Sequence, residues 1–198
     1  RQLVSVVDLA PTILELAGFP AGPSYMGKSF SSLLEGKERA TRDAIFAEKN
    51  WHDYEDRSHA VRDHRFKYII NHYWDLPATP PADAARSDTF REMQRLKAEG
   101  TLPIEQSSCF LAPRPREELY DLKEDPHELR NLAGLPPYKD TLERLRVEYR
   151  QWRVRTREKT PRLRTPDEFD RVTGKPTPAR IRPRWSKQKM IEEGILLP

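Results

Sequence analysis

Apolar positions fall into several short runs and one long helical stripe. Residues 3–7 form an apolar run that predicts a short buried strand, with Asp8 placed to cap the helix after it. Pro11 lies in that helix's first turn, Ile13, Leu14, Leu16 and Ala17 continue its apolar pattern, and Gly18 supplies the stop. A second short helix is expected over 29–34, closed by Gly36. Strands are expected over 44–47, 60–62 and 66–71, the last two joined by a turn at 63–65. Phe66, Tyr68 and Ile70 share one face of the third, and Lys67 with Ile69 the other, so that strand is expected to be covered on both sides.

Residues 74–116 break the sheet pattern. Ser87 is placed to cap a helix with Phe90, Met93 and Leu96 on one side and Gly100 at its end, an inserted helical excursion. Over 118–133, a strand bearing Leu119 and Leu122 runs into Asp125-Pro126, and a helical turn with Leu129 and Leu132 on one side is expected next. Tyr138, Leu142, Leu145, Tyr149 and Trp152 recur at helical spacing, a stripe that would cover the sheet. Prolines 161, 166, 176, 178 and 183 forbid long helices beyond it, and only 186–193 reads as helical again. The prediction is an α+β fold, a small antiparallel sheet of about four strands packed by a long C-terminal helix.

Composition narrows this picture. The 198 residues suffice for one cored domain, alone or with a long tail. Apolar content is 36%, mean hydropathy is −0.85, and 18 prolines stand against 8 glycines, so the core should be modest and the loops extensive. No run of about 18 apolar residues is present, which excludes a membrane-spanning helix. No signal peptide is visible, and the opening Arg1-Gln2 followed at once by an apolar run reads as a segment of a longer chain. The single cysteine, Cys109, excludes an internal disulfide and points to a buried thiol. From Gln151 onward 13 Lys/Arg face 6 Asp/Glu, a balance of +7 in a chain whose net charge is +4. Such a tail can bind a polyanion or be a solvated or packed extension.

Candidate chemistry is sparse. Residues 48–54 form the most polar-aromatic patch, and in it His52 beside Asp53 could be a directed hydrogen-bond donor, an imidazole held by a carboxylate. A surface loop pair is the other reading. His64 falls in a turn and His127 in the Asp-Pro corner, both structural places. A metal set from His52, Asp53, His59 and His72 fits no recognised ligand spacing. There is no serine-histidine-acid pattern, no phosphate-cradling glycine loop and no paired-carboxylate signature.

Four motifs, in order along residues 3–160, resemble the C-terminal region of type I sulfatases of the alkaline-phosphatase-like superfamily. They are Ser-Val-Val-Asp-Leu-Ala-Pro-Thr-Ile-Leu-Glu-Leu-Ala-Gly at 5–18, Gly27-Lys28-Ser29-Phe30 with Leu33-Leu34, the 59–69 hairpin, and Glu-Leu-Tyr-Asp-Leu with Asp-Pro and Asn-Leu-Ala over 118–133. In the hairpin, His59 stands where the family usually has arginine. The insertion before the fourth motif resembles the sulfamidase (N-sulfoglucosamine sulfohydrolase) branch, in which a Ser-His-His-Glu stretch lines up with Asn50-Trp51-His52-Asp53.

The resemblance implies a domain plan: 1–36 as the end of the catalytic α/β domain, 37–160 as the C-terminal subdomain with its insertion at 74–116, and 161–198 as a basic proline-rich tail. It implies a sulfatase acting on sulfate esters or sulfamates of glycosaminoglycan-type sugars, with formylglycine and calcium, in an extracytoplasmic place (periplasmic, secreted or lysosomal). The implied partners are the N-terminal catalytic domain and a sulfated sugar, with no nucleic acid and no membrane span. The formylglycine signature and metal ligands are absent from this chain; Cys109 is followed by proline at its fourth position and not its second. No catalytic or metal residue is therefore expected here, and the substrate-binding candidates are His52 and Asp53. A non-catalytic polyanion-binding module, or a phosphate-ester-transferring member of the superfamily, remains an open alternative.

Overall fold

The computed structural model describes residues 2–37, 41–180 and 187–192. The chain divides into two compact units, the first formed by Arg1–Asn50, Asp56–Pro77 and Leu111–Arg162, the second by Trp51–Glu55, Ala78–Phe110 and Leu163–Pro198.

The first unit is built on a four-stranded antiparallel sheet: β1 (Ile45–Lys49), β2 (Ser58–Arg62), β3 (Phe66–Asn71) and β4 (Glu117–Asp121), in sequence order across the sheet. Asp63 fixes the tight turn between β2 and β3, its carboxylate accepting the N–H groups of Arg65 (2.7 Å) and Phe66 (2.6 Å). The side-chain period of two places Val61, Tyr68 and Leu119 on one face. Against that face lies helix α5 (Lys139–Thr156), whose Leu142, Leu145 and Tyr149 are buried, with its Trp152 and the preceding Tyr138 packed beside them. The predicted sheet and its covering helix are thus found. The helix is pinned in register: Tyr68 donates its hydroxyl to Glu117 (2.6 Å), and the Arg146 guanidinium grips that same carboxylate.

β4 lies at an edge of the sheet, and its outer backbone groups are satisfied locally. Leu119 N–H donates to the Asn131 amide oxygen (3.0 Å), Asn131 donates to Glu117 C=O (3.0 Å), and Leu132 N–H donates to Leu119 C=O (2.8 Å). The stretch leading there corrects one expectation: no helical turn follows Asp125-Pro126. Glu128 adopts a left-handed φ of 58°, which ends any helix, and Leu129 is 56% exposed while Leu132 is buried.

The start of the chain also departs from expectation. Residues 3–7 form no strand; only Leu3 is buried, Val4, Val6 and Val7 are exposed, and Val6–Asp8 is a 3-10 turn leading into α1 (Leu9–Leu16). The reason is Asp8, which is fully buried and folds back to accept the Ser5 N–H (2.9 Å), curling the backbone. Its carboxylate does not cap α1. It also accepts the Lys28 N–H (2.7 Å) and the Arg42 Nε–H (2.7 Å), clasping segments 20 and 34 residues ahead. Burial by itself would raise this carboxyl; the Arg42 guanidinium and the N–H groups of Lys28 and Ser5 outweigh it and hold it below its ordinary value. Gly27 passes so close that a Cβ there would lie 1.9 Å from the Val7 carbonyl oxygen. The short helix α2 (Ser31–Leu34) follows, tied to α1 by the Phe30 N–H donating to Thr12 Oγ1 (3.0 Å).

The second unit contains α3 (Ala82–Ala85), α4 (Asp88–Ala98) and α6 (Lys187–Glu192). Ser87 caps α4 as expected, its Oγ accepting the Phe90 N–H (3.2 Å), and Gly100 follows the helix with φ 72°. Phe90 stacks on Phe110 at 5.3 Å. The core of this unit joins Tyr54, Ala82 and Phe169, residues far apart in sequence. Ser186 and Glu193, the ends of the last predicted helix, lie outside the described residues.

Candidate functional site

In the second unit the segment from Trp51 to Glu55 is held almost throughout by residues of the proline-rich stretch. Trp51 donates its indole N–H to Pro166 C=O (3.2 Å), Glu168 N–H donates to Asp53 C=O (3.0 Å), and Glu55 N–H donates to the Asp167 carboxylate (2.6 Å). Arg171 binds that same Asp167 (2.7 Å), donates to Glu55 C=O (2.7 Å) and lies 5.2 Å over the Tyr54 ring. Asp53 accepts the Ala82 N–H (2.7 Å) at the start of α3, so its carboxylate has a fixed direction. The imidazole of His52, 74% exposed, stands with Nδ1 3.4 Å from that carboxylate. The two sequence-predicted residues are therefore adjacent. An anchored acid thus stands beside an imidazole open to solvent; with Nδ1–H turned to that carboxylate, the neutral ring presents Nε2 outward as an acceptor and the protonated ring presents it as a donor. Nothing in a proline-rich composition announced that residues 163–180 would build this mount.

The other histidines of the considered metal set, His59 and His72, belong to the first unit, where sequence reasoning missed a cluster. His59 on β2 is 1% exposed. Its Nδ1 and the Nε2 of His72 each lie 2.8 Å from the Tyr149 hydroxyl on α5, and 3.3 Å from one another. One hydroxyl proton can be given to only one imidazole, so the other imidazole must donate its N–H to the phenolic oxygen. The far nitrogen of His59 has no hydrogen-bond partner; the nearest carboxylate oxygen is that of Glu48, 3.8 Å away. Burial, together with His72, Arg57 and Arg153, pushes His59 down to about 4, and burial with the same two arginines does the same to His72. Burial raises the Tyr149 phenol. The cluster is thus neutral at neutral pH and locks α5 to the sheet. Its only sequence signal was His59 itself, in a position where the resemblance led one to expect arginine.

Buried charges lie near it in the same unit. Arg57 pairs with Glu158 and donates to Lys159 C=O (3.2 Å), while Arg114 pairs with Asp56, which Lys49 also reaches at 2.9 Å. Cys109 is half-buried, and burial pushes its thiol up, so it is a poor nucleophile. Among the described residues no three His, Cys, Asp or Glu side chains gather as a metal site, and no helix is long and apolar enough to cross a membrane.

Comparison with known proteins agrees with this architecture. Residues 1–81 match the family described as N-sulphoglucosamine sulphohydrolase, C-terminal. An ulvan-active sulfatase of Formosa agariphila is 42% identical over 153 residues, covering 76% of this chain and 25% of that protein. The human N-sulphoglucosamine sulphohydrolase is 30% identical over 168 residues, covering 77% of this chain and 32% of that protein. Among solved structures, a 2-O GAG sulfatase superposes with a TM-score of 0.52 at 23% identity, over 76% of this chain and 25% of that one. A second, solved in complex with its substrate D-glucosamine-2-N,6-O-disulfate, gives 0.52 at 20% identity, over 78% of this chain and 24% of that one. The chain thus spans between a quarter and a third of the length of these curated relatives. Sequence, fold and motif order agree, and the chain belongs to the sulfatases, as a C-terminal region of the N-sulphoglucosamine sulphohydrolase kind.

Proposed function

We propose that this chain is the C-terminal part of an enzyme hydrolysing sulfate esters or sulfamates on glycosaminoglycan-type sugars, and that His52 and Asp53 contact the sugar. The observation that carries the reading is the 42% identity to an ulvan-active sulfatase along three-quarters of the chain. The geometry adds to it: an exposed imidazole is aimed by Asp53, whose own direction is set by the Ala82 N–H. In that role the outward Nε2 of His52 accepts from a sugar hydroxyl when the ring is neutral and donates to a sulfate oxygen when it is protonated, while Asp53 keeps the ring turned outward; both bind substrate and neither takes part in bond breaking.

Among the described residues no group of side chains fits a calcium site, and the formylglycine signature is missing from this sequence, so no reaction step is assigned to them. In this proposal nucleophile and metal belong to an N-terminal catalytic portion, the partner of this chain, in an extracytoplasmic compartment. Residues 1–36 complete that portion, 37–160 form the C-terminal subdomain with its insertion at 74–116, and 161–198 are the basic tail.

The test is steady-state kinetics of the full-length enzyme on a sulfated disaccharide. His52→Ala and Asp53→Asn should raise KM about tenfold, the worth of one or two polar contacts, with kcat within about threefold of the parent. His64→Ala should change neither. An unchanged KM in both site variants removes His52 and Asp53 from the substrate contact.

A further inference from the structure

From Arg150 to Arg162 the chain carries six basic side chains, Arg150, Arg153, Arg155, Arg157, Lys159 and Arg162, against one acid, Glu158. That acid is consumed internally. Its carboxylate, 10% exposed, pairs with buried Arg57 and with Arg153 (2.6 Å). Arg150 is occupied by Glu143 at 2.6 Å. The other four, Arg155, Arg157, Lys159 and Arg162, are exposed, and among the described residues none has a carboxylate partner; Arg155 rests 5.8 Å over the Phe46 ring.

A helix C-terminus welcomes cations through its dipole, but that effect fades within the last turn. It accounts for Arg155, and not for Lys159 or Arg162 beyond the helix end at Thr156. Arg157 adds an independent observation. It ends α5 with φ 54° and ψ 31°, the left-handed conformation that glycine adopts without penalty and that costs other residues about 1 kcal/mol. A guanidinium stands where the backbone conformation favours glycine.

We propose that the C-terminal end of α5 and the segment after it form a polysaccharide-binding surface, on which Arg155, Arg157, Lys159 and Arg162 engage the sulfate groups of a sulfated polymer. Guanidinium forks match the paired oxygens of a sulfate group as they match phosphate, and unpaired exposed cations pay no prior ion pair to do so. Nucleic acid fits less well: Trp152, the aromatic of this segment, is stacked on Phe46 at 5.5 Å with 6° between the rings and is not free to stack on a base. The choice of a sulfated polymer rests on the sulfatase reading, but binding is measured without turnover, so either can fail alone.

The experiment titrates the 198-residue chain with a heparin oligosaccharide at two salt concentrations. Binding should weaken as salt rises, and Arg157→Glu/Lys159→Glu/Arg162→Glu should weaken it by about tenfold or more and flatten the salt dependence. Arg62→Glu/Lys123→Glu/Arg130→Glu, the same charge change on exposed residues elsewhere in the first unit, should leave it within about threefold. Arg157→Gly gives a reading free of folding artefacts: relief of the left-handed φ should raise Tm while binding falls. Absence of heparin binding at low salt overturns the proposal. So does equal weakening in the two triple variants, equally tight binding of a DNA duplex, or an Arg157→Gly variant that binds like the parent.

Discussion

His59 shows how one residue can set the acid stability of this fold. Free histidine titrates near 6.5, whereas His59 and His72 stay neutral down to about 4. As pH falls from 6.5 the unfolded chain takes up protons that the folded chain refuses, so stability present above 6.5 is lost progressively toward pH 4. For His59 the loss is on the order of 3 kcal/mol. The clasping carboxylates Asp8 and Asp56 are held below their ordinary values, so their contribution disappears only at lower pH. Urea denaturation at pH 7 and pH 4.5 should show this decline, and His59→Phe should roughly halve it; a flat profile in the parent would contradict the cluster's neutrality. At the same scale, Gly27→Ala must push the Val7 carbonyl aside and should cost well over 2 kcal/mol, a change readable as a fall in Tm.

Among the elements, α5 and the turn before it separate what patterning conveys from what it does not. Leu145 is fully buried against the sheet, and Leu145→Ala should cost about 2–5 kcal/mol, whereas Leu129→Ala, at a residue 56% exposed, should cost less than about 0.5 kcal/mol. A reversal of that order in denaturation midpoints would restore the helical turn expected after Pro126. The stripe of α5, the strand at 66–71 and the Ser87 cap were legible because period and capping chemistry are local. The 3-10 turn that replaces the strand expected at 3–7 was not, because Asp8 is satisfied by Lys28 and Arg42, partners that no local window contains. The mount of His52 was hidden for the same reason: its partners at 166–171 lie more than a hundred residues away, in a stretch that composition marks only as proline-rich and basic. The proximity of His52 and Asp53 follows from their being neighbours in the sequence, whereas the anchoring of Asp53 by Ala82 does not.

For the whole molecule, four motifs in order carried more information than any side chain, and the family match over residues 1–81 agrees with them. The fold places a closed polar lock, His59 with His72 and Tyr149, inside one unit, and an open oriented imidazole, His52, in the other. Neither supplies a nucleophile or a metal set. The proposed function is a division of labour, in which this region would bind the sugar and another region of a longer protein would break the bond. Sulfate release from a sulfated oligosaccharide, measured side by side for the 198-residue chain and for the full-length gene product, tests it most directly. The account predicts turnover by the full-length protein and none by the chain alone; sulfate release by the isolated chain would contradict it.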